Sequence, residues 1–505
     1  MPTPADRPTA TPSRRVRTGE LRGVLAMVIP MVITVCSRMV MDICDFKMIG
    51  YLGDQASAAQ GAILPAQVTL WTFIVLGFGT VLIIGTFVSQ SLGRQRLREA
   101  SAYTWQGFYI AVAYGLLGLG LYPLLPMIFA LMGHSQPIQH LEVVYARVAV
   151  LTIAPTIAAE AIAAFFNGIH RPKVAMWSAV ESNVINIGAS AILIFGLWGA
   201  PRLGIAGAAW GTLIGTVYRV VRLLAAFTSR RVDAEFGSRR TLRPDWLKLR
   251  AIARVGLPSG AQAFSDVLVW TLFTSILVGR FFGSDALVAS NVAFQYMRIS
   301  FMPAFGIGSA LSALVGRAIG QNDNPLAMRY ANICVGVLMA YLIPLSLIYL
   351  SFRSHLIAWF NTAPVIVGIG SSIMICAVVF QLFDGLLIAY HSALRGAGDT
   401  FWPAVMFAAS HWLIVIGGGV LVALLRPDWG CLGPWWAATS LLIFLGLAMS
   451  WRWHGRRWQR IDIFSHERTI DPLPSDAGQP KVPGLPLAGA VSVPSELVTE
   501  SVGPP

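Results

Sequence analysis

Runs of about 20 or more mostly apolar residues recur along the whole chain, and this restricts the fold more than any motif does. An α-helix rises about 1.5 Å per residue, so each run can cross about 30 Å of hydrocarbon with its backbone hydrogen bonds satisfied internally. The runs fall at roughly 21–48, 60–90, 103–132, 143–167, 175–198, 203–228, 250–280, 287–316, 327–352, 365–392, 401–425 and 431–452. Hydrophobic residues make up 55% of the 505 positions and charged residues only 12%, which leaves no stretch suited to a sizeable water-soluble domain.

The net charge of +13 does not point to nucleic acid as a partner, because the bases are confined to alternate connections between the runs. One set of loops carries Arg94, Arg96 and Arg98, then Arg171 and Lys173, a dense group from Arg230 to Arg254, then Arg317, Arg329 and Arg395. The opposite set has scattered bases such as Lys47, Arg202, Arg280, Arg353 and Arg426. By the positive-inside rule the first set faces the cytoplasm, and both termini, with Arg14, Arg15, Arg456 and Arg457, fall on that side. The expected location is the cytoplasmic (inner) membrane of a bacterium, as a multi-pass monomer whose partner is the lipid bilayer. Residues 1–20 are read as a cytoplasmic segment leading into an uncleaved signal anchor, and 466–505, rich in Pro, Gly and Ser, as disordered.

Five cysteines lie mostly within the apolar runs, without metal-ligand spacing, so disulfides are not expected. The four lysines (Lys47, Lys173, Lys248, Lys481) complete no phosphate-binding G-x-x-x-x-G-K-[ST] loop, which argues against ATP as the energy source. No nucleophile elbow, zinc-ligand pair or dinucleotide fingerprint is visible, so neither an enzyme nor a cofactor is expected.

The two halves match at a nearly constant offset. Pro30 in "MVIPM" corresponds to Pro258 in "VGLPSG", Gly93 in "VSQSLGR" to Gly320 in "VGRAIGQ", Gly168 in "FFNGIHRP" to Gly396 in "SALRGAGDT", and Gly204 to Gly433, at offsets of 227 to 229. Six helices per repeat is an even number, so both copies enter the membrane in the same sense and are related by an axis along the membrane normal. The fold class is therefore an all-α polytopic membrane protein with about twelve transmembrane helices in two six-helix lobes related by pseudo-two-fold symmetry. The division is 1–20, a first lobe 21–228, a basic linker 229–249, a second lobe 250–454 and a cytoplasmic tail 455–505.

Over roughly residues 25–450 the sequence resembles the multidrug and toxic compound extrusion (MATE) family. The matching segments are "VIPMVI" with "DFKMIGYLG", "MPAFGIGSALSALVGRAIGQ", "NVINIGASAILIFG" and "FDGLLIAYHSALRGAGDT". The resemblance implies a twelve-helix secondary exporter that exchanges small cationic or amphiphilic organic compounds against protons or sodium ions. It also implies a coupling-ion carboxylate at Asp384 and, in the first lobe, at Asp45.

The residues themselves point to the same places. Asp384 lies eleven positions before Arg395, about 16 Å along a helix and hence near mid-membrane, where a charge costs roughly 2.5–3.5 kcal/mol. Asp266 reaches similar depth on the seventh helix, with Gln262 one turn away, and Gln381 sits one turn from Asp384. A sodium ion at Asp266 and Asp384 is one candidate metal. Glu160 lies as deep on the fourth helix as Asp384 does on the tenth, a possible substitute in the first lobe, where Ser190 stands in place of the acid that many relatives carry. Arg38 and Asp42, at i and i+4, can neutralise each other and leave Asp45 the freer acid. The substrate cleft is expected to draw on Asp42, Asn183, Asn186, Asn291, Gln295, Met297 and Arg298; of these, Asn291, Gln295 and Arg298 form one helical stripe. A lipid-linked oligosaccharide flippase is the alternative function, but its anionic cargo calls for more than Arg38 and Arg298 inside the membrane.

Overall fold

A computed structural model describes residues 14–53 and 56–465, with side chains from residue 19 onward. Among them there is no strand, and twelve long helices follow one another. They are α1 (Arg14–Ile49), α2 (Ala56–Gly93), α3 (Leu97–Leu119), α4 (Gln136–Gly168), α5 (Pro172–Phe195) and α6 (Ile205–Phe227). The second six are α7 (Trp246–Leu272), α8 (Phe281–Gly320), α9 (Asn324–Phe360), α10 (Pro364–Ala397), α11 (Phe401–Leu425) and α12 (Leu432–His454).

Length and apolarity alone single out nine runs. The shortfall has three causes: α7 and α8 form one 75-residue helical run, α6 qualifies only together with Arg230–Phe236, and α3 is too polar. The kink that divides this run is Gly283, in the first turn of α8, whose φ of 86° is a conformation that suits glycine. The run expected at 103–132 ends instead at Leu119, and a separate short helix, Leu125–Leu131, follows. Pro123 and Pro126 interrupt the helix where apolarity alone extends it.

Two buried clusters form the cores. One gathers apolar residues of α2 to α6, the other those of α7 to α12. Val24, Met27, Val28 and Met31 of α1 belong to the second cluster, and Ile252 of α7 to the first, so the lobes are interleaved along α1 and α7.

The repeat is visible in the turns. Gln95 (φ 62°) after α2 and Asn322 (φ 59°) after α8 adopt left-handed conformations, as do His170 (φ 60°) after α4 and Gly398 (φ 85°) after α10. The closing hydrogen bonds match pair by pair: Arg96 N to Ser91 O and Asp323 N to Ala318 O, then Arg171 N to Phe166 O and Asp399 N to Leu394 O. Each is the six-to-one bond of a left-handed helix end.

Contacts between the lobes obey the same symmetry. A Cβ on Gly93 would meet Arg317 O at 2.4 Å and Gly320 Cα at 2.8 Å, while one on Gly320 would meet Gln90 O at 2.3 Å and Gly93 Cα at 2.9 Å. Residue and counterpart thus touch each other reciprocally, as at an isologous two-fold contact, and the pseudo-axis passes between these two glycines. Deeper in the bundle Gly79 packs on Gly260, and its counterpart contact places Gly306 on Val32. Thr86 Oγ1 donates to Arg395 O at 3.0 Å and Gln90 Nε2 to Gly396 O at 3.0 Å, which joins the helix ends that carry the basic loops, hereafter the basic face.

Two connecting segments pack tightly there. In the linker, α3 holds the main chain of 236–245: Trp105 Nε1 donates to Ser238 O (2.6 Å), Gln106 Nε2 to Arg243 O (3.2 Å), Ser101 Oγ to Phe236 O (2.8 Å) and Tyr109 to Leu242 O. After α12, residues 461–465 cross to the first lobe, where Phe464 is buried against Phe87 and Tyr103 with ring centroids 5.7 and 5.9 Å apart. Arg94 lies 4.5 Å over the Phe464 ring and pairs with Asp462 at 2.9 Å. The first residues of the expected tail are therefore a docked strap, and 466–505 lie outside the described residues.

Candidate functional site

In the second lobe the seventh, tenth and eleventh helices bring together a chain of polar groups in an apolar setting. Asp266 Oδ1 lies 2.9 Å from His411 Nε2 and accepts a hydrogen bond from Trp270 Nε1 at 3.1 Å. His411 is 2% exposed, and its Nδ1 lies 2.9 Å from Phe407 O. A carbonyl accepts only, so Nδ1 carries a proton and Nε2 faces the carboxylate. The Asp266–His411 pair can then hold one further proton, shared between Nε2 and Oδ1. Phe407 stacks between His411 and His391, 5.3 Å from each ring, and His391 Nε2 is 3.3 Å from the Gln262 amide.

Asp384 is half-buried on α10, near enough for Asp266 to be the charged group acting on it. Among the described residues it has no salt-bridge or hydrogen-bond partner. Two expectations change here. Gln381 is not beside Asp384: its amide is used up by Ser300 of α8 and Ser346 of α9, and it is 2% exposed. Gln262 serves His391 rather than Asp266. His391 itself is half-buried within the lobe.

In the first lobe Asp45 is 4% exposed and faces Asn186 and Ser190 of α5. Asp45 Oδ1, Asn186 Oδ1 and Ser190 Oγ are all buried without a hydrogen-bond partner. Asn186 is fixed by its Nδ2, which donates to Thr212 Oγ1 of α6 at 3.1 Å, so its carbonyl oxygen is left over. The Ser190 hydroxyl can donate to the Asp45 carboxylate, which leaves the Asn186 carbonyl oxygen as the acceptor that a proton on Asp45 or a small hard cation would satisfy. Ser190 keeps an oxygen beside Asp45. It sits against Gly211, where an added Cβ would lie 2.2 Å from Ser190 Oγ. Two residues on from the buried Asp45, Lys47 is exposed.

Glu160 is not a second acid for this site. Its carboxylate is 3.6 Å from the Arg219 guanidinium of α6, an ion pair supplied by the fold. Asp42 is salt-bridged not by Arg38, its i−4 neighbour, but by Arg298 from the other lobe, at 3.9 Å. Arg298 is thereby assigned to a contact across the lobes. Asn183 Nδ2 donates to Ser37 Oγ of α1 at 2.9 Å. Asn291 and Gln295 are exposed. Met297 is 6% exposed within the second core and lines no cleft, because Arg298 takes the outward position beside it.

Sequence reasoning missed His411 and Trp270. An imidazole in the apolar run "AASHWLIV" was the available signal. Its partner, 145 positions away in the chain, was not.

Two six-helix lobes meeting on a pseudo-two-fold axis, with unpaired acids inside each, define a polytopic transporter built by duplication. The profile of the MatE family matches residues 30–192 and 263–421, and the chain belongs to that family. It is 26% identical over 451 residues to the probable multidrug resistance protein NorM of Geobacillus kaustophilus, covering 86% of this chain and 96% of that protein. It is also 26% identical over 446 residues to the multidrug resistance protein MdtK of Yersinia enterocolitica, covering 86% and 95%. Among solved structures it resembles an outward-facing multidrug resistance MATE family transporter of the MOP superfamily, with a TM-score of 0.77, 18% identity, and 88% and 98% coverage. A MOP superfamily transporter from Pyrococcus furiosus, described as having a binding pocket of reverse polarity, gives 0.78 at 18% identity, covering 88% and 98%. At that identity the likeness speaks for the fold alone.

Proposed function

We propose that the protein is a secondary multidrug exporter that expels cationic or amphiphilic organic compounds in exchange for protons. One observation carries the choice of ion: the acid of α7 is bonded to a buried histidine and an indole N–H. Nitrogen donors of this kind suit a proton and leave a sodium ion short of oxygen ligands.

In the proposed cycle, substrate enters the cleft between the lobes from the basic face, taken as cytoplasmic from its arginines. The lobes rock about the glycine contacts, and a proton from outside reaches Asp384 and the Asp266–His411 pair. Neutralising the carboxylates weakens their hold on a cation, and substrate leaves. The trapped oxygens of Asp45, Asn186 and Ser190 accept a second proton. One charge moved through 100 mV is worth about 2.3 kcal/mol, enough for appreciable accumulation.

The test is ethidium efflux from proteoliposomes under an imposed pH gradient or an imposed sodium gradient. Efflux driven by pH alone is expected; efflux driven by sodium alone would overturn proton coupling, and none under either would overturn drug export.

A further inference from the structure

On the basic face, an open cavity of about 510 Å³ lies between the inner end of α3 and the linker, lined by Arg98, Arg240, Arg243, Thr241, Asp245 and Trp246 among others. Its charge is unbalanced. Asp245, the one lining carboxylate, accepts from Leu247 N and Lys248 N and pairs with Lys248 Nζ at 3.3 Å. Of the nearby acids, Glu99 lies 3.7 Å from Arg96 with its Oε2 buried and unbonded, and Glu235 pairs with Arg171 at 2.7 Å. Among the described residues, no carboxylate lies within salt-bridge distance of Arg98, Arg240 or Arg243, and Arg98 Nε is buried without a hydrogen-bond partner.

The arrangement is fixed before any ligand arrives. The four α3 side chains that hold 236–245 through its carbonyls leave these guanidiniums free: Arg240 and Arg243 are exposed, and Arg98 Nε is buried short of an acceptor. Beside the cavity, Trp246 is 76% exposed, Leu247 46% and Leu242 44%. Exposed tryptophan and leucine around unpaired arginines at the edge of a bundle match the boundary between headgroups and hydrocarbon.

We propose that this cavity binds a phosphate group, and that its source is an anionic phospholipid of the adjoining leaflet. The fork of an arginine pairs with two oxygens of one phosphate, and the apolar rim takes the start of the acyl chains. The inference stands apart from the transport reading, since it involves none of the intramembrane acids.

The test is native mass spectrometry of the purified full-length chain titrated with phosphatidylglycerol or with phosphatidylcholine, for the wild type, for R98Q/R240Q/R243Q and for R231Q, which removes an exposed charge outside the cavity. The wild type and R231Q are expected to bind phosphatidylglycerol about tenfold more tightly than the triple variant does, with phosphatidylcholine bound weakly by all. Equal binding by wild type and triple variant overturns the site. If the triple variant does not fold, R243Q alone decides, with a loss of about threefold expected and no loss overturning the site. Inorganic phosphate is the second arm: competition with phosphatidylglycerol at equal concentration would overturn the lipid as source and leave a soluble phosphate as the ligand.

Discussion

The two lobes share their turns and their glycine contacts, yet they treat a buried acid differently. In the first lobe Asp45 faces the Ser190 hydroxyl and the Asn186 amide, and among the described residues its Oδ1 is buried without a hydrogen-bond partner. In the second, Asp266 is held by an imidazole and an indole, and Asp384 lies nearby without a partner. At the position matching Asp384 the first lobe has Thr156. Duplication supplied one scaffold, and the chemistry was then placed on it separately. What recurs is what holds the lobes in shape, and what differs is how each lobe surrounds its buried acid.

The largest effect is expected from Asp384→Asn. Dye export should fall to the background of empty vesicles, while Asp45→Asn retains a measurable share. Equal residual export in the two variants would remove the functional asymmetry. Next come Asp266→Asn and His411→Gln. If they hold one proton jointly, the double variant should export no worse than the poorer single one, and additive losses would separate them.

The symmetric half of the comparison is tested at the axis. Gly93→Ala and Gly320→Ala each push a methyl onto backbone, at a cost of about 1–3 kcal/mol. Thermal unfolding should shift by similar amounts for both; a large shift for one and none for the other would move the axis elsewhere. Gln381→Leu should cost about 1–3 kcal/mol by orphaning Ser300 and Ser346, yet leave the ion requirement of export unchanged. A changed requirement would return Gln381 to the coupling site.

The smallest effect concerns Asp462. Burial opposes its charge, but the Phe464 N–H and Arg94 outweigh that and hold its carboxyl below the usual carboxylate range. A depressed pKa means that the strap gains from the pair at all pH values above that range and loses it as pH falls through the lowered value. Hydrogen exchange across 461–465, taken relative to the intrinsic rate at each pH, should therefore be flat from neutral to mildly acid pH and rise only in stronger acid. A rise near neutrality would contradict the pairing.

Much of the scaffold was legible in the sequence. Apolar runs gave the helices, and matched glycines gave the repeat, because both are local or periodic signals. The boundaries failed where proline ended a helix inside an apolar stretch, as after Leu119. The acids of the candidate site were legible from their cost in hydrocarbon. Their partners were not: Arg219 for Glu160, Arg298 for Asp42 and His411 for Asp266 all come from other helices. Spacing along one helix suggested Arg38 for Asp42 and Asp384 for Gln381, and tertiary packing chose otherwise in both cases.

The strap has a consequence for the order in which the molecule is made. Phe87 and Tyr103 leave the ribosome early, with the second and third helices, whereas the ring that covers them, Phe464, comes after the twelfth. Throughout synthesis of the second lobe, the basic face of the first keeps an uncovered aromatic patch. The contact that seals it is available only after every membrane span has been synthesised.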